Sequence, residues 1–236
     1  MRQSFRTIAL HCELVHPAQT PDPGPIQRVH NRMFEAGEPL YGSFTMTHEG
    51  AVLSNQAARP GVLSQVSFLA DRIRFIEERT GLGIEEFAER VRRVGELTSE
   101  QRPLPLLTGQ GVTLRALVTP RTLAREFLGS KVLGDPGPLG RLQRPLQGLG
   151  LRLTFGPQPG SPNAYAVRVE SVASDPQSLW LEVVGTFPPI AAGAAAEPAQ
   201  AWETVQRNLQ ATYAFANGEV LDCLEAFENG DAGAFE

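Results

Sequence analysis

Val112-Thr113-Leu114-Arg115-Ala116-Leu117-Val118, followed at once by Thr119-Pro120, is the stretch from which the fold is read. It reads as a strand running straight into a helix, with Thr119 as N-cap, Pro120 in the first turn, and Leu123, Phe127 and Leu128 as the apolar face. The chain makes the same move at its start. Between residues 5 and 14, Ile8, Leu10, Cys12 and Leu14 alternate with Thr7, Ala9, His11 and Glu13, the period of a half-buried strand. A turn-rich connector over 17–24 follows. Pro25 then suits the first position of a helix with the stripe Ile26, Val29, Met33 and Phe34 and a stop at Gly37.

Working outward, residues 41–47, 51–55, 62–69 and 72–76 read as short antiparallel strands, with a turn at Glu49-Gly50. Ile84, Phe87, Ala88, Val91, Val94 and Leu97 then fall at helical spacing. The proline- and glycine-bearing stretch 100–111 is the seam, after which the order begins again. Beyond the second short helix, 134–148 is a connector carrying Leu139, Leu142 and Leu146. Residues 149–155, 165–172 and 179–187 alternate as strands, with a hairpin loop over 156–163. A long helix follows, its stripe formed by Trp202, Val205, Leu209, Tyr213, Ala216, Val220, Leu224 and Phe227, and Asn217-Gly218 is expected to kink or break it.

The pattern predicts an α+β fold. Two successive units of strand, helix, two or three strands and helix form a mostly antiparallel sheet covered by helices, with a long C-terminal helix. The first unit spans 1–100, a connector 101–111 and the second unit 112–236, and the two are compatible with one continuous domain.

A chain of 236 residues buries about three quarters of its unfolded surface, so it needs neither disulfide nor metal to hold a core. Its net charge of -5 argues against a general nucleic-acid or membrane-surface binder. That average hides a split. Residues 112–152 carry Arg115, Arg121, Arg125, Lys131, Arg141, Arg144 and Arg152 against Glu126 and Asp135, whereas 197–236 is acidic apart from Arg207. The simplest expectation is that the two segments neutralise each other within the fold. Cys12 and Cys223 both fall at positions turned toward a core, as small hydrophobes in a reducing compartment. No leader is read at the start, since His11 and Glu13 interrupt its apolar run, and the weakly apolar stretch 186–196 is too short to span a bilayer. These features predict a cytoplasmic protein.

Motifs with chemistry are scarce. His11, Glu13 and His16 are close in sequence, but strand parity puts His16 on the face opposite the other two, against a metal site. Cys12 and His11 are likewise opposed. No Gly-x-Ser-x-Gly elbow occurs, and Gly129-Ser130-Lys131 lacks the upstream glycine of a phosphate loop. Glu85 and Glu86 fit a helix N-terminus, where unsatisfied amides favour carboxylates. No catalytic residue, metal or cofactor is assigned.

Leu179-Trp180-Leu181-Glu182-Val183-Val184-Gly185-Thr186-Phe187, the Ala-rich loop after it, the helix over 201–227, and the strand 112–118 with its preceding helix resemble a family of sporadically distributed bacterial proteins without assigned activity. The resemblance covers about residues 40–228 and rests on hydrophobic pattern, with the acidic pair of the family's late strand reduced to Glu182. It implies no site residue. In topology alone, the doubled order is also similar to the saddle of the TATA-box-binding protein. That mode of binding requires a basic face, and Thr7, Glu13, Ser43, Thr45, Thr47, Glu170 and Glu182 are read as its neutral or acidic counterparts.

The function expected is that of a non-enzymatic protein binding another macromolecule, a protein partner or a second copy, in a bacterial assembly or regulatory system. The contact would be the basic, leucine-bearing stretch with Arg121, Arg125, Lys131, Arg141, Arg144 and Arg152. One alternative is a small-molecule binder or enzyme whose pocket, between sheet and C-terminal helix, is lined by Tyr165, Trp180, Trp202 and Tyr213. Another is nucleic-acid binding through the same basic stretch, which the total charge disfavours.

Overall fold

Alternating burial carries β1 (Ser4–Val15) through the interior of a nine-stranded antiparallel sheet, with Leu10, Cys12 and Leu14 on its covered face. The structure is a computed structural model and describes residues 4–20, 22–37, 39–134, 144, 146–192 and 198–230. After β1 come α1 (Pro23–Glu35), the meander β2 (Ser43–Met46), β3 (Gly50–Ser54), β4 (Leu63–Leu69) and β5 (Arg72–Glu78), and α2 (Ile84–Gln101). The second unit comprises β7 (Gly109–Thr119), a short α3 (Ala124–Glu126) continued by a π-helical turn over Phe127–Val132, then β8 (Gly150–Phe155), β9 (Ala164–Val172) and β10 (Asp175–Phe187). It ends in α4 (Pro198–Phe215), a π-helical turn over Ala216–Val220 and α5 (Leu221–Asn229). Two-residue strands β6 (Leu106–Leu107) and β11 (Ile190–Ala191) pair beside the main sheet.

The strand order β2-β3-β4-β5-β1-β7-β10-β9-β8 shows why the element order repeats. In each unit the first strand lies at the centre, the chain crosses by a helix to the outer edge, and a meander returns inward. The units meet where β1 pairs with β7 from Ser4 opposite Thr119 to Val15 opposite Gly109. The first unit's meander has four strands, one more than the repeat pattern allows, and the second has three. A bulge between Thr7 and Ala9 shifts the register, so Ala9 is 5% exposed and the strict alternation through Ile8 fails at that point.

Several local boundaries differ from the sequence expectation. Helix α1 starts at Pro23, because the Asp22 side chain accepts from the Gly24 amide at 2.9 Å and caps it there. Phe34 stays 46% exposed against His30 while Ile26, Val29 and Met33 are buried. The helix expected from Thr119-Pro120 begins later, at Ala124, leaving Leu123 outside as its N-cap with 47% exposure. Asn217-Gly218 does not break the C-terminal helix; the π-helical turn absorbs both residues and the helix runs on. Cys223 is exposed because Leu224, one position on, takes the core position.

Helix α4 lies across both units on two glycines. Gly95 of α2 leaves room for the Trp202 indole, which is 1% exposed and donates from Nε1 to Ser99 Oγ at 2.9 Å. A Cβ at Gly95 would sit 2.2 Å from that ring. Gly185 of β10 similarly receives Thr212, whose Oγ1 would be 2.5 Å from an added Cβ. Buried Gln110 completes the seat, donating to the Val205 carbonyl at 3.1 Å and accepting from Asn208 at 2.7 Å.

The first unit holds a buried ion pair. Glu77 of β5, 2% exposed, accepts from Arg90 of α2 at 2.7 Å and from Ser64 Oγ at 2.8 Å. Burial pushes its carboxyl above the ordinary value, with Arg90 opposing the shift.

Two stability tests follow from this packing. Gly95→Ala is expected to cost about 1–3 kcal/mol in urea unfolding, since the buried, hydrogen-bonded indole has no room to retreat. Arg90→Ala strands a buried carboxylate and should cost about 3 kcal/mol near neutral pH. The latter loss shrinks on acidification, because the raised carboxyl takes up a proton and the stranded charge disappears.

Candidate functional site

The four aromatic residues expected to share a pocket are divided by the sheet. Tyr165 stacks on Phe215 with centroids 4.2 Å apart, Tyr213 meets Phe5 edge-on at 5.9 Å, and Trp202 is enclosed between α2 and α4, all on the helical side. Trp180 alternates with buried Leu179 and Leu181 and so faces the other way, where the Arg168 guanidinium lies 5.2 Å from its ring. Fully buried Val205, Leu209 and Thr212 fill the space between α4 and the sheet.

The basic stretch is also distributed. The Arg121 amide donates to Glu228 at 2.6 Å and its side chain to Asn229 at 3.2 Å, which ties it to α5 in the intramolecular pairing expected of the two charged segments. Arg125 donates to the Leu146 carbonyl at 2.7 Å. Lys131 is exposed in the π-helical turn after α3, Arg144 is exposed, and Arg152 projects from β8 onto the open face of the sheet. Arg141, with Leu139 and Leu142, lies outside the described residues.

Between α3 and the start of β8 is a groove of about 1090 Å³, lined by Leu123, Arg125, Leu146, Leu149, Ala173 and Pro176 among others. Leu123 and Leu146 are 47% and 39% exposed, and Leu133, just beyond the π-helical turn, is 45% exposed. Large apolar side chains left in water around a concavity mark a surface that can gain by being covered. Sequence reading singled out Leu146 and the arginines but placed Leu123 in the core, because its helical spacing with Phe127 suggested a shared face.

The open face carries a row of charges that strand parity could have located and that the sequence reading left incomplete. Arg152 pairs in register with Arg168, Arg168 with Glu182, Glu182 with Arg115, Arg115 with Ala9, and Ala9 with Glu78. Arg115 donates to Glu182 at 2.8 Å, and its guanidinium lies 3.7 Å from Glu78, which in turn accepts from His11 Nε2 at 3.0 Å. Glu13 receives Arg72 at 3.2 Å and Arg74 at 3.0 Å. The face expected to be neutral or acidic therefore interleaves both signs, because residues flanking buried Ile73, Phe75 and Leu114 must point outward. Each such exposed pair contributes little alone, about 0–1 kcal/mol.

Burial pushes the Cys12 thiol up to about 12, so it stays protonated and is no nucleophile at neutral pH. Among the described residues no group of three or more His, Cys, Asp or Glu is placed to hold a metal, and no helix is long and apolar enough to cross a membrane.

No family model and no curated protein matches the chain. The resemblance to sporadically distributed bacterial proteins thus stands on hydrophobic pattern alone. Among solved structures, the regulatory subunit of aspartate kinase from Thermus flavus is similar over 90% of this chain and 97% of that one, at 10% identity and a TM-score of 0.22. A likeness of that size carries no functional conclusion.

Burial lowers the pKa of both His11 and His16, with Arg115 adding to the shift at His11. His16 donates from Nδ1 to the Pro17 carbonyl at 2.9 Å, while its Nε2 is buried without a partner. The unfolded chain takes up protons near the ordinary value of 6.5, which these folded histidines resist. Stability is therefore full above that value and falls as pH descends through it. Urea midpoints between about pH 7 and 5 should show this decline. A His11→Gln, His16→Gln double variant should flatten it.

Proposed function

We propose that this is a binding protein and not an enzyme, and that another protein occupies the groove between α3 and the β8 end of the sheet. The observation that carries the reading is the exposure of Leu123 and Leu146 in that concavity, with Arg125 beside them and exposed Leu133, Lys131 and Arg144 close to them in the chain. The groove's own charges are Arg125 and Glu126, and Lys131 and Arg144, near its leucines in the chain, tip the balance to basic, which suits a protein segment that offers apolar anchors and acidic residues. The placement of Arg121 supports a narrower contact than the sequence suggested, since that arginine already serves the fold through Glu228. A partner in an assembly or regulatory system fits this surface.

The test is partner capture by cross-linking in the protein's own host. Lys131→Glu with Arg144→Glu, or Leu146→Asp alone, should lower capture by about ten-fold or more without changing thermal stability. Arg121→Glu should lower stability instead. Capture that survives the first two variants would remove this reading.

A further inference from the structure

Among the described residues the edge strand β8 has no neighbour on one side, and both its faces are largely exposed, Phe155 meeting Phe215 edge-on at 5.6 Å. Among the described residues it pairs only with β9, and all its positions except Leu151 are exposed. The Ser171 amide donates to the Leu149 carbonyl at 2.9 Å, so Leu149 belongs to a hydrogen-bonded position of the β8–β9 ladder. Antiparallel alternation then directs the backbone groups of Leu151, Leu153 and Phe155 at β9, and those of Gly150, Arg152 and Thr154 outward. Proteins commonly blunt such edges with proline, lysine or a very short strand. The opposite edge, β2, has four residues, whereas β8 has six and contains neither proline nor lysine.

Its two faces differ in chemistry. On the helical side Leu153 and Phe155 are 38% and 40% exposed. On the open side Arg152 stands directly opposite Arg168, a like-charged cross-strand pair, beside a hollow of about 140 Å³ that reaches Glu182. Arg168 is answered by Glu170 at 2.7 Å and Glu182 by Arg115 at 2.8 Å. Among the described residues no carboxylate forms an ion pair with Arg152.

We infer that β8 takes up an extended segment of a partner protein as a tenth strand, with acidic side chains beside Arg152 and apolar ones beside Leu153 and Phe155. This deepens the proposed function and rests on it, since Leu149 of the groove immediately precedes β8 and one segment can run through both. Main-chain bonds to Gly150, Arg152 and Thr154 supply affinity, and the alternation selects the sequence. A second copy fits less well, because it would bring another Arg152 to this edge in place of a carboxylate.

The probe is a synthetic peptide alternating valine and glutamate, methylated on the amides of its outer edge to prevent self-pairing, compared with its valine–lysine counterpart. The glutamate peptide should bind about ten-fold tighter, the difference expected of a charge-assisted contact. Arg152→Glu should reverse the preference. Thr154→Pro should abolish binding of both peptides with unchanged thermal unfolding, because that amide faces outward and bonds to nothing in the sheet. Hydrogen exchange should slow at Gly150, Arg152 and Thr154 on binding and stay the same at Leu151 and Leu153. Failure of both peptides to bind, charge-independent binding, or protection confined to the groove would overturn strand addition. Dimerisation abolished by Leu153→Lys would overturn it in favour of a second copy. Partner capture lost in Leu146→Asp but kept in Thr154→Pro would refute strand addition while leaving the groove reading intact, whereas capture kept in both would refute both.

Discussion

The seat of α4 on Gly95 and Gly185 is the contact on which the remaining architecture depends. Helix α4 is built from the second unit, yet its Trp202 rests on a helix of the first, and its Thr212 rests on the sheet. The absence of two Cβ atoms brings the backbones close enough for a large indole and a buried threonine to fill the space. The β1–β7 pairing makes one sheet of the two units, and α4 makes one core of them. Gln110 reinforces this, since its own buried amide finds its partners on α4, at the Val205 carbonyl and the Asn208 side chain.

Covering only one face of a nine-stranded sheet leaves the other to manage its own solvation. This chain does so with charges of alternating sign, paired across strands, so that no large single-sign field develops. The pattern ends at β8, where Arg152 and Arg168 stand opposite one another and the backbone edge is open. The groove and this edge adjoin at Leu149, and together they set the β8 end apart from the well-satisfied centre of the sheet.

Much of this was legible in the residues. Alternation at Leu10, Cys12 and Leu14, and again at Val112, Leu114 and Ala116, located both central strands, and the stripe from Trp202 to Leu224 located the final helix. The repeated element order, too, was visible before any pairing was known. Local signals failed where two residues competed for one role. Asp22 capped α1 earlier than Pro25 suggested, and Leu123 fell outside the helix whose spacing it matched. The candidate contact was legible as a basic, leucine-bearing stretch, but Arg121, Arg125 and Arg152 diverge because loop, helix and strand point them in three directions.

The sequence by itself determined periodicity: which segments are strands or helices, and which side of each is apolar. It does so because side-chain direction repeats every two residues along a strand and about every 3.6 along a helix. Only the tertiary structure decided which faces meet. Gly95 looks like any helical glycine until Trp202 arrives from residues far along the chain, and Trp180 looks like a core aromatic until the sheet sets it apart from Tyr165. The openness of β8 is likewise a property of strand order. An edge exists only once every other strand has found its neighbours, and no local pattern encodes that outcome.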